Sequence, residues 1–335
     1  MSVPRILAGT SLGLVSLLAL VGCAGATAEE PAEKAEQAST VTVEDNNGSH
    51  EIATPPTSVV ATDNRTFQTL SDWGIELTAA AVALMPETVD YVNDKNIIDL
   101  GTHNEPDLES VVAAAPDLII NGQRFTQYQQ DFEKLVPDAT VLQLDPREGE
   151  PLDAELKRQI TVLGEVFGKQ DEAKKLTDDF DAAVERAKAA YRDTDTVMAV
   201  TTSGGEIGYI APGVGRTLGP IFDLIGLTPA LEVEGATDDH QGDDISVEAI
   251  AESNPSWILV MDRDAVFAAD DASYVQAAEI LEDSEALASV TAVGSDQIVY
   301  MPTDTYLNEG IQTYTTFLND FADALEKSGE KAAKN

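Results

Sequence analysis

The chain has 335 residues, 60 acidic against 20 basic, and a formal charge of −40 at pH 7. A surface this acidic excludes nucleic acid and anionic lipid headgroups as partners over most of its area. With a single cysteine no intrachain disulfide can form, so the fold must rest on packing, for which 43% hydrophobic residues suffice.

The N-terminus reads Met1-Ser-Val-Pro-Arg5, then an apolar run from Ile6 to Val21, then Gly22-Cys23. A short positive start, an apolar core and small closing residues make an export signal. Residues 1–22 are therefore set apart from the fold, and the remaining chain is placed outside the cytoplasm. Residues 23–39 are small, polar and charged and read as a flexible tether. Alternation in Thr40–Glu44 and His50–Ile52 around Asp45-Asn-Asn-Gly48 predicts a β-hairpin.

A β/α alternation follows. Apolar strands are predicted at Val59–Ala61, Ala79–Ala83, Leu118–Asn121 and Val141–Leu144, with helical patterns at Arg65–Trp73 and Leu108–Ala115. This pattern predicts parallel strands with crossover helices. Leu152–Tyr191 is charged helical sequence interrupted chiefly at Gly168, and the β/α pattern resumes from Val197 to a last helix near Gly310–Glu326. The fold class is thus α/β. An N-terminal lobe (40–150) and a C-terminal lobe (193–335) are joined by a helical connector (151–192), and the ligand cleft lies between the lobes. An internal repeat supports two similar lobes. Asp107–Arg124 aligns with Ser246–Arg263 without a gap, matching Glu109 with Glu248, Pro116 with Pro255 and Arg124 with Arg263. In each copy Asp107 or Ser246 caps a helix, proline ends it, a strand follows, and an arginine stands past the strand.

Open α/β sheets bind ligands beyond the carboxyl ends of their strands, which is where Arg124 and Arg263 fall. Arg216, in Gly213-Val-Gly-Arg-Thr-Leu-Gly219, precedes a helical run where anions are favoured. Three arginines on one cleft suit a ligand with several negative charges or planar oxygen pairs. His240, among aspartates, reads as a metal ligand or a solvated loop residue, and Tyr306 as an iron-binding phenol or a rim tyrosine. Glu109 and Glu248 read as helix-dipole partners or as a pair of exposed acidic knobs, one per lobe. G-x-S-x-G, H-E-x-x-H and G-x-x-x-x-G-K-[ST] are all missing. Nothing points to an enzyme.

Leu20-Val-Gly-Cys23 resembles a bacterial lipobox. With Asn104-Glu-Pro-Asp-Leu-Glu109, Pro116-Asp-Leu-Ile-Ile120, Ile245-Ser-Val-Glu248 and Val260-Met-Asp-Arg263, the chain resembles the ferric-siderophore binding lipoproteins of iron-uptake ABC transporters, and more narrowly those for catecholate-type ligands. The resemblance implies two Rossmann-like lobes joined by one long α-helix, and lipidation of Cys23 at the outer face of the membrane. It implies a monomer with no intrinsic cofactor that carries an Fe(III)-siderophore to a permease. Arg124, Arg216 and Arg263 would embrace the ligand. His240 and Tyr306 would complete iron coordination where the siderophore leaves sites open. Glu109 and Glu248 would dock onto the permease. Three arginines would balance the three negative charges of a ferric tris-catecholate. Haem, a corrinoid or a ferric hydroxamate on the same fold is the alternative, and an extracellular enzyme or adhesion protein a more distant one.

Overall fold

The computed structural model describes residues 39–101 and 105–334. The export signal, Cys23, most of the tether and Asn104 lie outside the described residues. The chain opens with the predicted hairpin, β1 (Ser39–Glu44) against β2 (Ser49–Thr54), in which Glu44 faces Ser49. The Asp45 carboxylate accepts from the Asn47 and Gly48 N–H groups and closes the turn.

The N-terminal lobe runs through β3 (Val59–Ala61), α1 (Phe67–Asp72), β4 (Ala79–Ala80), β5 (Ile98–Asp99), α2 (Leu108–Ala114), β6 (Leu118–Asn121), α3 (Gln129–Leu135) and β7 (Thr140–Gln143). Its five strands are all parallel, in the order β5-β4-β3-β6-β7. Every residue of β3 and β6 is buried, as a parallel strand covered on both faces requires.

The connector is two helices, α4 (Leu152–Phe167) and α5 (Gln170–Ala190), where the resemblance implied one long helix, and they part at the Gly168 interruption read from the sequence. Gly168 ends α4 in the left-handed region at φ 65°, a conformation glycine adopts without steric cost. Leu156, Ile160, Leu163 and Phe167 form a buried stripe at helical spacing, and α4 packs on the hairpin.

The C-terminal lobe comprises β8 (Thr196–Ser203), β9 (Glu206–Ile210), α6 (Gly219–Ile225), β10 (Thr228–Pro229), β11 (Asp243–Asp244), α7 (Val247–Ser253), β12 (Trp257–Asp262), α8 (Ala265–Ala268), α9 (Ala277–Glu282), α10 (Thr291–Gly294), β13 (Ile298–Tyr300) and α11 (Ile311–Lys334). Its sheet is mixed rather than purely parallel: β10, β8, β12 and β13 are parallel, but Gly204-Gly205 turns β8 back into antiparallel β9, which pairs with β11. The period of two sorts this sheet's side chains between two cores. Val197, Ala199, Trp257 and Leu259 face the large core that also holds both connector helices and α11, while Met198, Val200, Ile258 and Val260 face a smaller one under α7 and α9. Helix α11 lies along α5, with Phe317 and Phe321 buried and Phe321 edge-on to Trp257 at 5.8 Å.

Candidate functional site: a guanidinium cup between the lobes

The repeat holds at atomic detail. Asp107 caps α2 by accepting from the N–H groups of Glu109 and Ser110, and Ser246 caps α7 by accepting from Ala249. The helices end at matched left-handed residues, Ala115 (φ 43°) and Asn254 (φ 44°), and strands β6 and β12 start at matched positions. Both strands point their carboxyl ends at the junction of the lobes, so Arg124 and Arg263 arrive there from opposite sides.

They converge on Tyr306, which sits in a helical turn after β13 and is 4% exposed. The Arg124 Nη2 donates to the Tyr306 hydroxyl at 3.3 Å. The guanidinium carbons of Arg216 and Arg263 lie 5.0 and 4.9 Å from its ring centroid, within cation–π range. Phe267, 56% exposed, meets Tyr306 edge-on at 5.4 Å and lies 5.9 Å from the Arg263 guanidinium. Arg124, Arg263, Asp264, Phe267 and Tyr306, with Leu84 and Leu307, line an open cavity of about 320 Å³, while Arg216 lines a small void beside it together with Arg124 and Tyr306. A wider cleft of about 700 Å³ lies between Pro146–Asp153 and α6, but it shares none of these residues and mixes Arg147 and Lys188 with Glu150, Asp153 and Asp223.

Beneath the cup runs a buried ionic network that the sequence did not reveal. Glu309 accepts from Arg65 of the N-terminal lobe at 3.0 Å, from Arg216 at 3.3 Å and from the Thr217 hydroxyl at 2.5 Å. Burial pushes the Glu309 carboxyl up, but Arg216 and Arg65 outweigh it and hold it at about 2. Arg65 also lies 3.6 Å from Asp145. Burial, then Asp145, pushes the neighbouring Asp63 carboxyl up to about 7. The lobes are stitched close by. Asn64 donates to the Leu307 carbonyl at 3.0 Å, and Gly310 passes so near Arg65 that a Cβ there would come within 2.8 Å of the Arg65 carbonyl oxygen.

Two strained residues flank the arginines. Gln123 (φ 53°) precedes Arg124, and Thr217 (φ 66°) follows Arg216. A β-branched residue in the left-handed region is costly and needs outside support. Thr217 has it, its hydroxyl bonded to Glu309 and its carbonyl accepting from the Tyr314 hydroxyl at 3.2 Å. Gln123 is held through its N–H, which donates to Asp145 at 2.7 Å.

Of the five ligand-binding candidates, four therefore meet: Arg124, Arg216, Arg263 and Tyr306. His240 does not join them. It is exposed, has Asp239 as its ion contact at 3.9 Å, and lines neither the open cavity nor the small void beside it. Its loop reaches the cup through Gln241, which is 3.5 Å from Ser203, the residue that accepts from Arg263 at 3.1 Å. Among the described residues no three His, Cys, Asp or Glu side chains are grouped to hold a metal ion. Glu109 and Glu248 are both exposed, in the first turns of the matched helices. The expected charge balance changes too. Arg216 is already paired with Glu309, and Arg263 with Asp264 at 3.0 Å. Reasoning from sequence missed Arg65, Glu309, Asp264 and Phe267. The adjacency of Asp264 to Arg263 was the one available signal.

Comparison with known proteins follows the same lines. Residues 59–305 match the Periplasmic binding protein family. The chain is 25% identical over 289 residues to the petrobactin-binding protein YclQ of Bacillus subtilis, covering 84% of this chain and 86% of that one. It is 28% identical over 260 residues to the ferric-anguibactin-binding protein FatB of Vibrio anguillarum, covering 75% and 77%. Among solved structures, the periplasmic catecholate-siderophore binding protein VctP of Vibrio cholerae superposes with a TM-score of 0.73 at 21% identity, over 85% of this chain and 100% of that one. Two lobes on separate sheets, a cleft at their strand ends and a match over most of the chain lead to one conclusion: the protein belongs to the periplasmic binding protein family.

Proposed function

We propose that this protein is a binding protein, not an enzyme, that captures a ferric siderophore with catecholate donors outside the cytoplasm and hands it to an ABC transporter permease. The observation that carries this reading is the cup itself. Guanidinium groups from both lobes and two aromatic rings meet in one open cavity. Guanidinium forks suit paired, negatively charged oxygens, and their faces and the Phe267 ring suit a catechol ring. The relatives named for petrobactin and ferric anguibactin support the ligand class.

A siderophore that leaves iron positions open would meet the Tyr306 hydroxyl at the floor of the cup, whereas His240 would need its loop to fold inward. The iron enters with the siderophore as cargo, and no intrinsic cofactor is invoked. Lipidated Cys23 would hold a monomer at the extracytoplasmic face of the cell membrane, the domains being 40–150, 151–192 and 193–335. The exposed Glu109 and Glu248, one on each lobe, would dock onto basic residues of the permease.

The test is quenching of tryptophan and tyrosine fluorescence on titration with ferric catecholates, a ferric hydroxamate and haem. Saturable quenching by the catecholates is the expected result. In the Arg124→Ala/Arg263→Ala double variant, loss of two charge-assisted contacts should weaken that binding by about a hundredfold. An unchanged dissociation constant in the double variant would sink the proposal.

A further inference from the structure

The sequence presents Arg124, Arg216 and Arg263 as three free positive charges. The structure compensates two of them. Arg216 lies 3.3 Å from Glu309, a fully ionised, buried carboxylate. The Arg263 Nη1 lies 3.0 Å from Asp264, which also accepts from the Gly204 N–H. Arg65, the second partner of Glu309, is itself shared with Asp145. Among the described residues Arg124 alone of the three has no carboxylate within ion-pair distance. The arginines therefore offer the ligand their planar faces and hydrogen bonds, while the carboxylates behind them remove most of the net charge.

We propose that Glu309 and Asp264 are specificity-determining residues that set the charge of the ligand, restricting the cup to ferric complexes with about one net negative charge. This inference rests on the ferric-siderophore reading and narrows it. A trianion would carry two charges without a counterpart into a partly dry cup on a strongly acidic protein. Arg263 and Asp264 are only 21% and 22% exposed, so salt screens this imbalance poorly. Each uncompensated charge then lowers affinity by about tenfold.

The experiment uses a graded panel of iron(III) complexes on one hexadentate backbone at fixed ionic strength. Three catecholates, two catecholates with one hydroxamate, one with two, and three hydroxamates carry three, two, one and no net negative charges. Tightest binding is expected for the monoanion, with the trianion weaker by about a hundredfold. Affinity that climbs steadily to the trianion, or stays flat across the panel, overturns the proposal. Asp264→Asn should shift the trianion-to-monoanion affinity ratio about tenfold toward the trianion. An unchanged ratio in a variant with native circular dichroism also overturns it. The wild-type panel decides the matter if that variant does not fold. Binding of no complex at all overturns the ferric-siderophore reading itself, and the charge rule with it.

Discussion

Asp63 and Glu309 are buried carboxyls of one network, yet they titrate in opposite directions. Asp63 has no carboxylate-sized solvent shell and faces Asp145, so its proton is held more tightly in the folded chain than in the unfolded one, at about 7 against an ordinary 3.8. A carboxyl raised in this way contributes stability at acid pH and gives it up progressively as pH rises through 7. Glu309, held at about 2 against 4.5, contributes stability above its unfolded value and loses it as pH falls toward 2. Unfolding free energy measured by urea titration should therefore decline between about pH 4 and pH 7. Asp63→Asn should flatten that decline relative to wild type, and parallel curves for the two proteins would remove Asp63 as its source.

At the scale of the element, the repeated helix-cap-strand unit is the best example of local sequence deciding local structure. Asp107 and Ser246 cap, Pro116 and Pro255 follow the helix ends, and the backbone turns through matched left-handed residues. The two copies differ in what fills that turn. Asparagine tolerates the left-handed region, but Ala115 has a Cβ that makes it costly. Ala115→Gly should accordingly stabilise the protein by roughly 0.5–1 kcal/mol, after allowing for glycine's greater freedom in the unfolded chain. The check is the denaturant midpoint at constant m. Destabilisation would mean that the Cβ packs usefully in the folded state. The connector shows the same logic. Its helical sequence is interrupted chiefly at Gly168, and that glycine, at φ 65°, divides it into α4 and α5.

At the scale of the molecule, Glu309 is the residue on which the two lobes depend together, since Arg65 comes from one and Arg216 and Thr217 from the other. Glu309→Gln leaves the partly buried Arg216 without a carboxylate and Arg65 with Asp145 at 3.6 Å, and breaking a buried ion pair in this way costs about 3–5 kcal/mol. Thermal and urea unfolding should show that loss as one cooperative shift. A change below about 1 kcal/mol would mean that the network is solvated and does not bind the lobes.

The hairpin, the strands Val59–Ala61 and Leu118–Asn121, the repeat, and the positions of Arg124 and Arg263 were all legible in the sequence, because each follows from alternation, capping or turn chemistry within a few residues. Arg124, Arg263 and Tyr306 were legible as candidates because strand ends in open α/β sheets face the ligand, and Arg216 because it stands in a glycine-rich stretch before a helical run. The two-residue strands β5, β10 and β11 were not legible, since their hydrogen bonds come from neighbours distant in sequence. The pairing of Arg65 with Glu309, separated by most of the chain, and the failure of His240 to reach the cup were equally out of reach. Local sequence determines which residues can stand at a strand's end. Which charges lie beside them is decided only when both lobes close, because electrostatic compensation depends on distance in space and carries no periodic trace along the chain.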